Sequence, residues 1–246
     1  MAPYPEGVAP VPGRLSGIGF FPGGAGLWKV ERGTLPTLPA DLTMILGHNL
    51  DSESNYRKSM ARGSENLNGS TWRQLTGFLR RVFPEDGDVL GRCFFTNFFM
   101  GLIAHGSSVG RFPGARDRAF VERCRSFLLR QIEIVRPSVL IVLGGDVPRL
   151  LAPLAPELSP WAGATSVTDL DRKDAGLLRD VELGGVSISA AALVHPSFRH
   201  ANVWRRRFAG LTGDAAEVEL VRRAHRLVEQ RDGASVGDAG DQGKCD

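Results

Sequence analysis

Cysteine is scarce in this chain: three in 246 residues, Cys93, Cys124 and Cys245. That is too few for a disulfide framework, a four-cysteine iron–sulfur cluster or a Cys-only zinc site. Reduced thiols are expected, two of them in the core. No apolar run reaches the roughly 18 residues of a membrane span. The first residues, Met-Ala-Pro-Tyr-Pro-Glu, have neither the basic segment nor the apolar stretch of a secretory signal, so a cytoplasmic location is expected. His195 and His200 have no acidic or cysteine partners spaced with them, and no metal or other cofactor is expected. Ser197 lacks the G-x-S-x-G elbow of an acyl-transfer serine. The stretch Gly23–Lys29 looks like a phosphate loop but lacks the G-x-x-x-x-G-K-[ST] spacing and a preceding strand.

One-sided charge is also missing. The formal net charge is +3, which does not by itself point to a nucleic-acid partner. Its distribution says more. The tail from Arg231 to Asp246 holds two basic and four acidic residues, a net −2, which leaves +5 for the remainder. Four arginines, Arg199, Arg205, Arg206 and Arg207, fall in one short stretch. That stretch reads equally as a solvated helix face or as a phosphate-attracting surface.

What is present suits a single large domain. Residues 1–40, rich in Pro and Gly, predict a loose or wrapping N-terminal arm. Residues 41–230 form the domain, and the Gly/Asp-rich residues 231–246 predict a disordered tail. Four apolar runs predict strands: 42–46, 89–96, 138–143 and 186–194. Helices are expected from Ser70 or Thr71 to about Phe83, over 116–135, from Asp146, over 201–208 and over 215–230. Trp72, Leu75, Phe78, Leu79 and Val82 share one face of the first. Phe120, Cys124, Phe127, Leu128 and Ile132 share one face of the second. Residues 53–69 read as an irregular connection, although Asp51 is placed to cap a short helix there. Residues 156–185 read as a surface wrap. Alternating strands and helices predict an α/β fold of three layers, with a central four-stranded parallel sheet covered on both faces.

Such sheets bind ligands beyond the carboxyl ends of their strands. Polar residues follow all four expected strands: Gly47, His48, Asn49 and Asp51 after the first, Asn97 after the second, Asp146 after the third and His195 after the fourth. The last of these opens the segment His195-Pro196-Ser197-Phe198-Arg199. The plain structural reading is that Asn49 and Asn97 satisfy turns, that Asp146 is an early-helix acid, and that Trp72 and Trp204 are core. The convergence of four strand ends argues instead for a site.

These residues resemble the motifs of the uracil-DNA glycosylase superfamily. Its first motif reads G-Q-D-P-Y in one branch and G-I-N-P-G or G-M-N-P-G in the mismatch-specific and single-strand-selective branches. Gly47-His48-Asn49-Leu50-Asp51 sets Asn49 on the Asn of the latter. The family's second strand ends in an Asn that reads the base, matched by Asn97. Its last motif, H-P-S-P and a wedge residue, is similar to His195-Pro196-Ser197-Phe198-Arg199. The stretch 138–144 looks like the family's third strand. The resemblance covers about residues 40–210. Leu50 and Asp51 stand where the family has Pro-Gly, and the family's stacking Phe has no aromatic counterpart, Tyr56 being the nearest.

The resemblance implies a glycosylase-like fold and a monofunctional DNA glycosylase acting, without a metal, on uracil or a related deaminated base. It implies that His195 donates to the base oxygen as a neutral electrophile and that Asn49 holds the attacking water. Asn97, with Gly47, His48, Asp51 and Ser197 around it, would bind the flipped base. Phe198 and Arg199 would fill the gap in the stack, and Arg205, Arg206 and Arg207 would hold phosphates. DNA is then the partner of a monomer. A weak or inactive DNA-binding module of the same fold, and a hydrolase of free nucleosides, are the alternatives.

Overall fold

The computed structural model describes residues 4–11, 21–22, 43–62, 68–105 and 110–237. The stretch Gly23–Lys29 and Cys245 lie outside them. In chain order the elements are β1 (Val8–Ala9), β2 (Phe21–Pro22), β3 (Thr43–Asn49), α1 (Glu53–Arg62), α2 (Ser70–Val82), β4 (Cys93–Phe99) and β5 (Leu102–Ile103). Then come α3 (Arg118–Val135), β6 (Val139–Leu143), α4 (Asp146–Leu151), α5 (Val167–Arg172), β7 (Leu177–Leu183) and β8 (Val186–Leu193). The last are α6 (Arg199–Asn202), β9 (Arg207–Phe208), β10 (Leu211–Thr212) and α7 (Gly213–Gly237).

The main sheet is mixed and mostly parallel, not the purely parallel four-stranded sheet expected. Its strand order is β2-β4-β3-β6-β8-β7. Neighbours β4, β3, β6 and β8 run parallel, whereas β2 and β7 pair antiparallel at the two edges. Alternate side chains feed two cores, as the two-residue strand period requires. Met44, Leu46, Phe94, Phe98, Leu140, Val142, Ala190 and Ala192 pack on one face, with Phe120, Cys124, Leu128 and Ile132 of α3. Ile45, Cys93, Phe95, Val139, Ile141, Ala191 and Leu193 pack on the other, with α2 and α7. Helices therefore cover both faces. Cys93 and Cys124 are buried free thiols, and burial pushes them up to about 12 and about 11.

Several expectations are corrected. Residues 53–62 are helical rather than irregular. Helix α2 starts at Ser70 behind Gly69, with no side-chain cap. Phe127 is exposed, so α3 buries the other four named residues without it. Strand β7 lies within the supposed surface wrap, and Trp161 of that stretch is fully buried. The expected helix over 201–208 is instead α6, a 3-10 turn at Val203–Arg205 and strand β9. Trp204 is 64% exposed rather than core, whereas Trp72 packs partly buried edge-on to Phe95. The supposed disordered tail continues α7 as far as Gly237. Part of the N-terminal arm is tied down: β1 pairs with β5, and β2 with β4.

Candidate functional site

Because β3, β4, β6 and β8 run parallel, their C-terminal ends share one edge of the sheet. A cavity of about 1470 Å³ opens there. Its wall includes Gly47, His48, Asn49 and Asp51 from β3 and the turn after it, Asn97 from β4, Gly144 and Asp146 after β6, and His195, Ser197 and Phe198 after β8. The N-terminus of α2, Gly69 to Trp72, forms another side. The structure thus brings together the residues singled out at all four strand ends. Asn97 lies within β4 rather than beyond it.

Register explains the closest of these approaches. Gly47 is paired with Asn97 across β3 and β4. A Cβ at position 47 would stand 2.3 Å from Asn97 Oδ1, so only glycine leaves that amide where it is. Gly144, just after β6, holds φ +88°, a conformation costly for other residues. A Cβ there would also touch the Cβ of His195 at 3.5 Å.

His195 begins the 3-10 turn Pro196–Phe198. Its Nδ1 accepts from the backbone N–H of Ser197 at 3.3 Å. A peptide N–H can only donate, so Nδ1 carries no proton and the neutral ring bears it on Nε2. Burial, helped by nearby His48, lowers the pKa of His195 below its ordinary value. Ser197 shares a hydrogen bond of 2.7 Å between its Oγ and that of Thr71, which ties the loop to α2. Phe198 is 49% exposed at the cavity mouth.

The pKa of His48 is also lowered by burial, against the raising effect of its hydrogen bond to Asn49. Its Nδ1 lies 3.0 Å from Asn49 Oδ1, and its ring stands edge-on to Phe99 with centroids 5.1 Å apart. The two carboxylates in the wall are already engaged. Asp51 accepts from the N–H of Ser52 at 2.6 Å and from the Asn55 amide at 3.2 Å, and Asp146 pairs with Arg149. Asp51 holds φ +111°, far from the usual region for a residue with a side chain.

The arginine cluster divides. Arg199 and Arg206 are buried, which contradicts their assignment as DNA contacts. Arg199 pairs with Glu217 and Asp214 and lies over the Phe78 ring at 4.6 Å. Arg206 pairs with Asp171 at 2.8 Å and Glu217 at 2.5 Å and donates to the Ala192 carbonyl at 2.9 Å. A buried guanidinium needs partners of this kind, and once they are made it has no freedom to reach a phosphate. Arg205 and Arg207 remain exposed, Arg205 over the Trp204 ring at 4.8 Å. The sequence reading missed four exposed cations in the cavity wall, Lys58 and Arg62 of α1, Arg111, and Arg149 of α4, the last paired with Asp146. Their signal is faint: α1 was only a second reading, a short helix capped by Asp51, because its residues are mostly polar.

No group of three or more His, Cys, Asp and Glu is placed to hold a metal ion among the described residues. No described helix is long and apolar enough to cross a membrane. Searched against protein-family models and against curated proteins, the chain matches none.

Proposed function

We propose that the protein is a monofunctional DNA glycosylase that hydrolyses the N-glycosidic bond of uracil or a related deaminated base, on a uracil-DNA glycosylase-like fold. One observation carries this reading: a single cavity at the ends of four parallel strands collects a neutral imidazole bearing its proton on Nε2 together with two carboxamides. Breaking the bond places negative charge on the departing base, and a fixed neutral donor is what that charge needs. His195 Nε2–H supplies it. Asn97, locked over Gly47, offers an amide to the edge of a base turned out of the stack. Asn49 helps to hold the water. Phe198 fills the gap left behind, and exposed Arg205, Arg207, Lys58, Arg62 and Arg111 meet phosphates.

The test is incubation with oligonucleotides carrying uracil, hypoxanthine, xanthine or a G·T pair, single- and double-stranded, followed by alkaline cleavage at abasic sites. His195→Ala is expected to abolish cleavage and Asn49→Ala to weaken it. Absence of cleavage on every substrate refutes the proposal. The reading of a DNA-binding module that does not cleave has its own support, because both carboxylates in the wall are occupied by other groups. It expects salt-sensitive DNA binding with no abasic product.

A further inference from the structure

Two imidazoles face the cavity, and their hydrogen bonds demand opposite tautomers. His195 takes an N–H proton on Nδ1, which leaves its own proton on Nε2. The partner of His48 Nδ1 is an amide oxygen, Asn49 Oδ1, which can only accept. His48 therefore carries its proton on Nδ1 and has a free lone pair on Nε2. We propose that His48 Nε2 is the general base that takes the proton of the attacking water, opposite the Nε2–H donor of His195. This assignment rests on the glycosylase reading and adds a catalytic residue to it, with Asn49 as the positioning residue that fixes the tautomer.

Three further observations support it. The carboxylates among the described wall residues already accept from other groups, Asp51 from Ser52 and Asn55 and Asp146 from Arg149. The Phe99 ring holds the imidazole from its edge. Burial keeps His48 unprotonated at neutral pH, the form a base requires. The charged groups facing it are Asp146 and Arg149 from α4, which oppose one another, and His195 from the loop after β8. A hydrogen-bond donor and a base, given opposite tautomers by their partners, thus share one cavity.

The step balances. The water oxygen bonds to C1′ as the C1′–N bond breaks, and the bonding pair leaves with the base, where the His195 Nε2–H bond stabilises it. One water proton goes to His48 Nε2 and the hydroxyl stays on C1′. The proton on His48 then passes through solvent to the base, which leaves neutral.

Nitrogen-15 spectra of the imidazoles in the free protein give the first test. The expected result is His48 in the Nδ1–H form and His195 in the Nε2–H form. Finding His48 in the Nε2–H form overturns the proposal whether or not the protein cleaves anything. The second test is single-turnover base release by the His48→Gln variant. The rate is expected to fall by about 10²–10⁴-fold, the usual worth of a general base. The acid limb of the pH profile should vanish, with oligonucleotide affinity unchanged. An active wild type and a full-rate His48→Gln variant overturn the role of His48 alone. A wild type that releases no base overturns the glycosylase reading and this role together.

Discussion

Neutralising Glu217 should destabilise the protein far more than neutralising any exposed acid, although Glu217 touches nothing in the cavity. Its carboxylate is fully buried. One oxygen accepts from the Val194 N–H at 2.7 Å and from Arg206 at 2.5 Å, and the other accepts from Arg199. It therefore grips the chain on both sides of His195. Glu217→Gln keeps the shape but sets an NH₂ against a guanidinium. Breaking a buried pair from one side costs about 3–5 kcal/mol. Arg199 retains Asp214 and Arg206 retains Asp171, so the lower figure applies. For a chain of this length, about 3 kcal/mol lowers Tm by roughly 6–12 °C. Asp214 binds the same Arg199 but is half exposed, so Asp214→Asn should cost under about 1 kcal/mol. Denaturant titration of both variants measures the difference. Equal midpoints would show that burial adds nothing to this network and would refute the reasoning.

Three more predictions concern the cavity and its surroundings. Gly47→Ala should push the Asn97 amide aside and lower turnover by about ten- to a hundred-fold, the worth of one or two hydrogen bonds, with a smaller change in Tm; wild-type turnover in the variant would contradict the contact. His225, held between Thr43 and Phe83, is pushed by burial down to about 4 from an ordinary 6.5. Between those two values the unfolded chain binds the extra proton, so stability is intact above pH 6.5 and falls as pH drops towards 4. The loss is up to about 3 kcal/mol, and His225→Gln should flatten this part of the profile in pH-dependent melts. At position 51, Asp51→Ala loses the bonds to Ser52 and Asn55 and keeps the positive φ, whereas Asp51→Gly loses the same bonds and relieves it. Thermal melts should place Asp51→Gly about 1 kcal/mol above Asp51→Ala.

Strands buried on both faces are legible because they carry apolar runs, unbroken in Val139–Leu143 and interrupted only by Ser187 and Ser189 in Val186–Leu193. Edge strand β7 was illegible because Arg179, Asp180 and Glu182 face solvent and a bulge breaks its register. A signal was nevertheless there. Gly184-Gly185, both at positive φ, is a two-residue hairpin turn between two apolar positions, Leu183 and Val186. Helix α1 was only a second reading, as a short helix at Ser52–Met60, for a related reason: it is polar nearly all round, and its marks were a serine hydroxyl at Ser52 meeting the N–H of Asn55 and the Glu53–Arg57 pair. The site fared better than its surroundings because strand ends are set by the same apolar runs that reveal the strands. The arginines fared worst. A run of basic residues records charge but not partners, and the partners of Arg199 and Arg206 lie 11 to 35 residues away, in α5 and α7.

That division of the arginines bears on how the site works. Buried charge is concentrated behind the sheet edge, where Glu217, Arg199, Arg206 and Asp171 satisfy one another and pin the backbone that carries His195. The strand ends themselves present neutral imidazoles and amides, and the carboxylates among the described wall residues, Asp51 and Asp146, already have partners. Were a free carboxylate to stand there, it would repel the anion that forms as a base departs, whereas a neutral ring can donate to that anion without a countercharge to overcome. Cations stand elsewhere in the same wall, Lys58 and Arg62 on α1, Arg111 and Arg149, with Arg205 outside it over Trp204. On the proposed glycosylase reading, affinity and chemistry draw on different residues, so raising salt should weaken binding of DNA steeply while leaving the rate of a bound substrate almost unchanged.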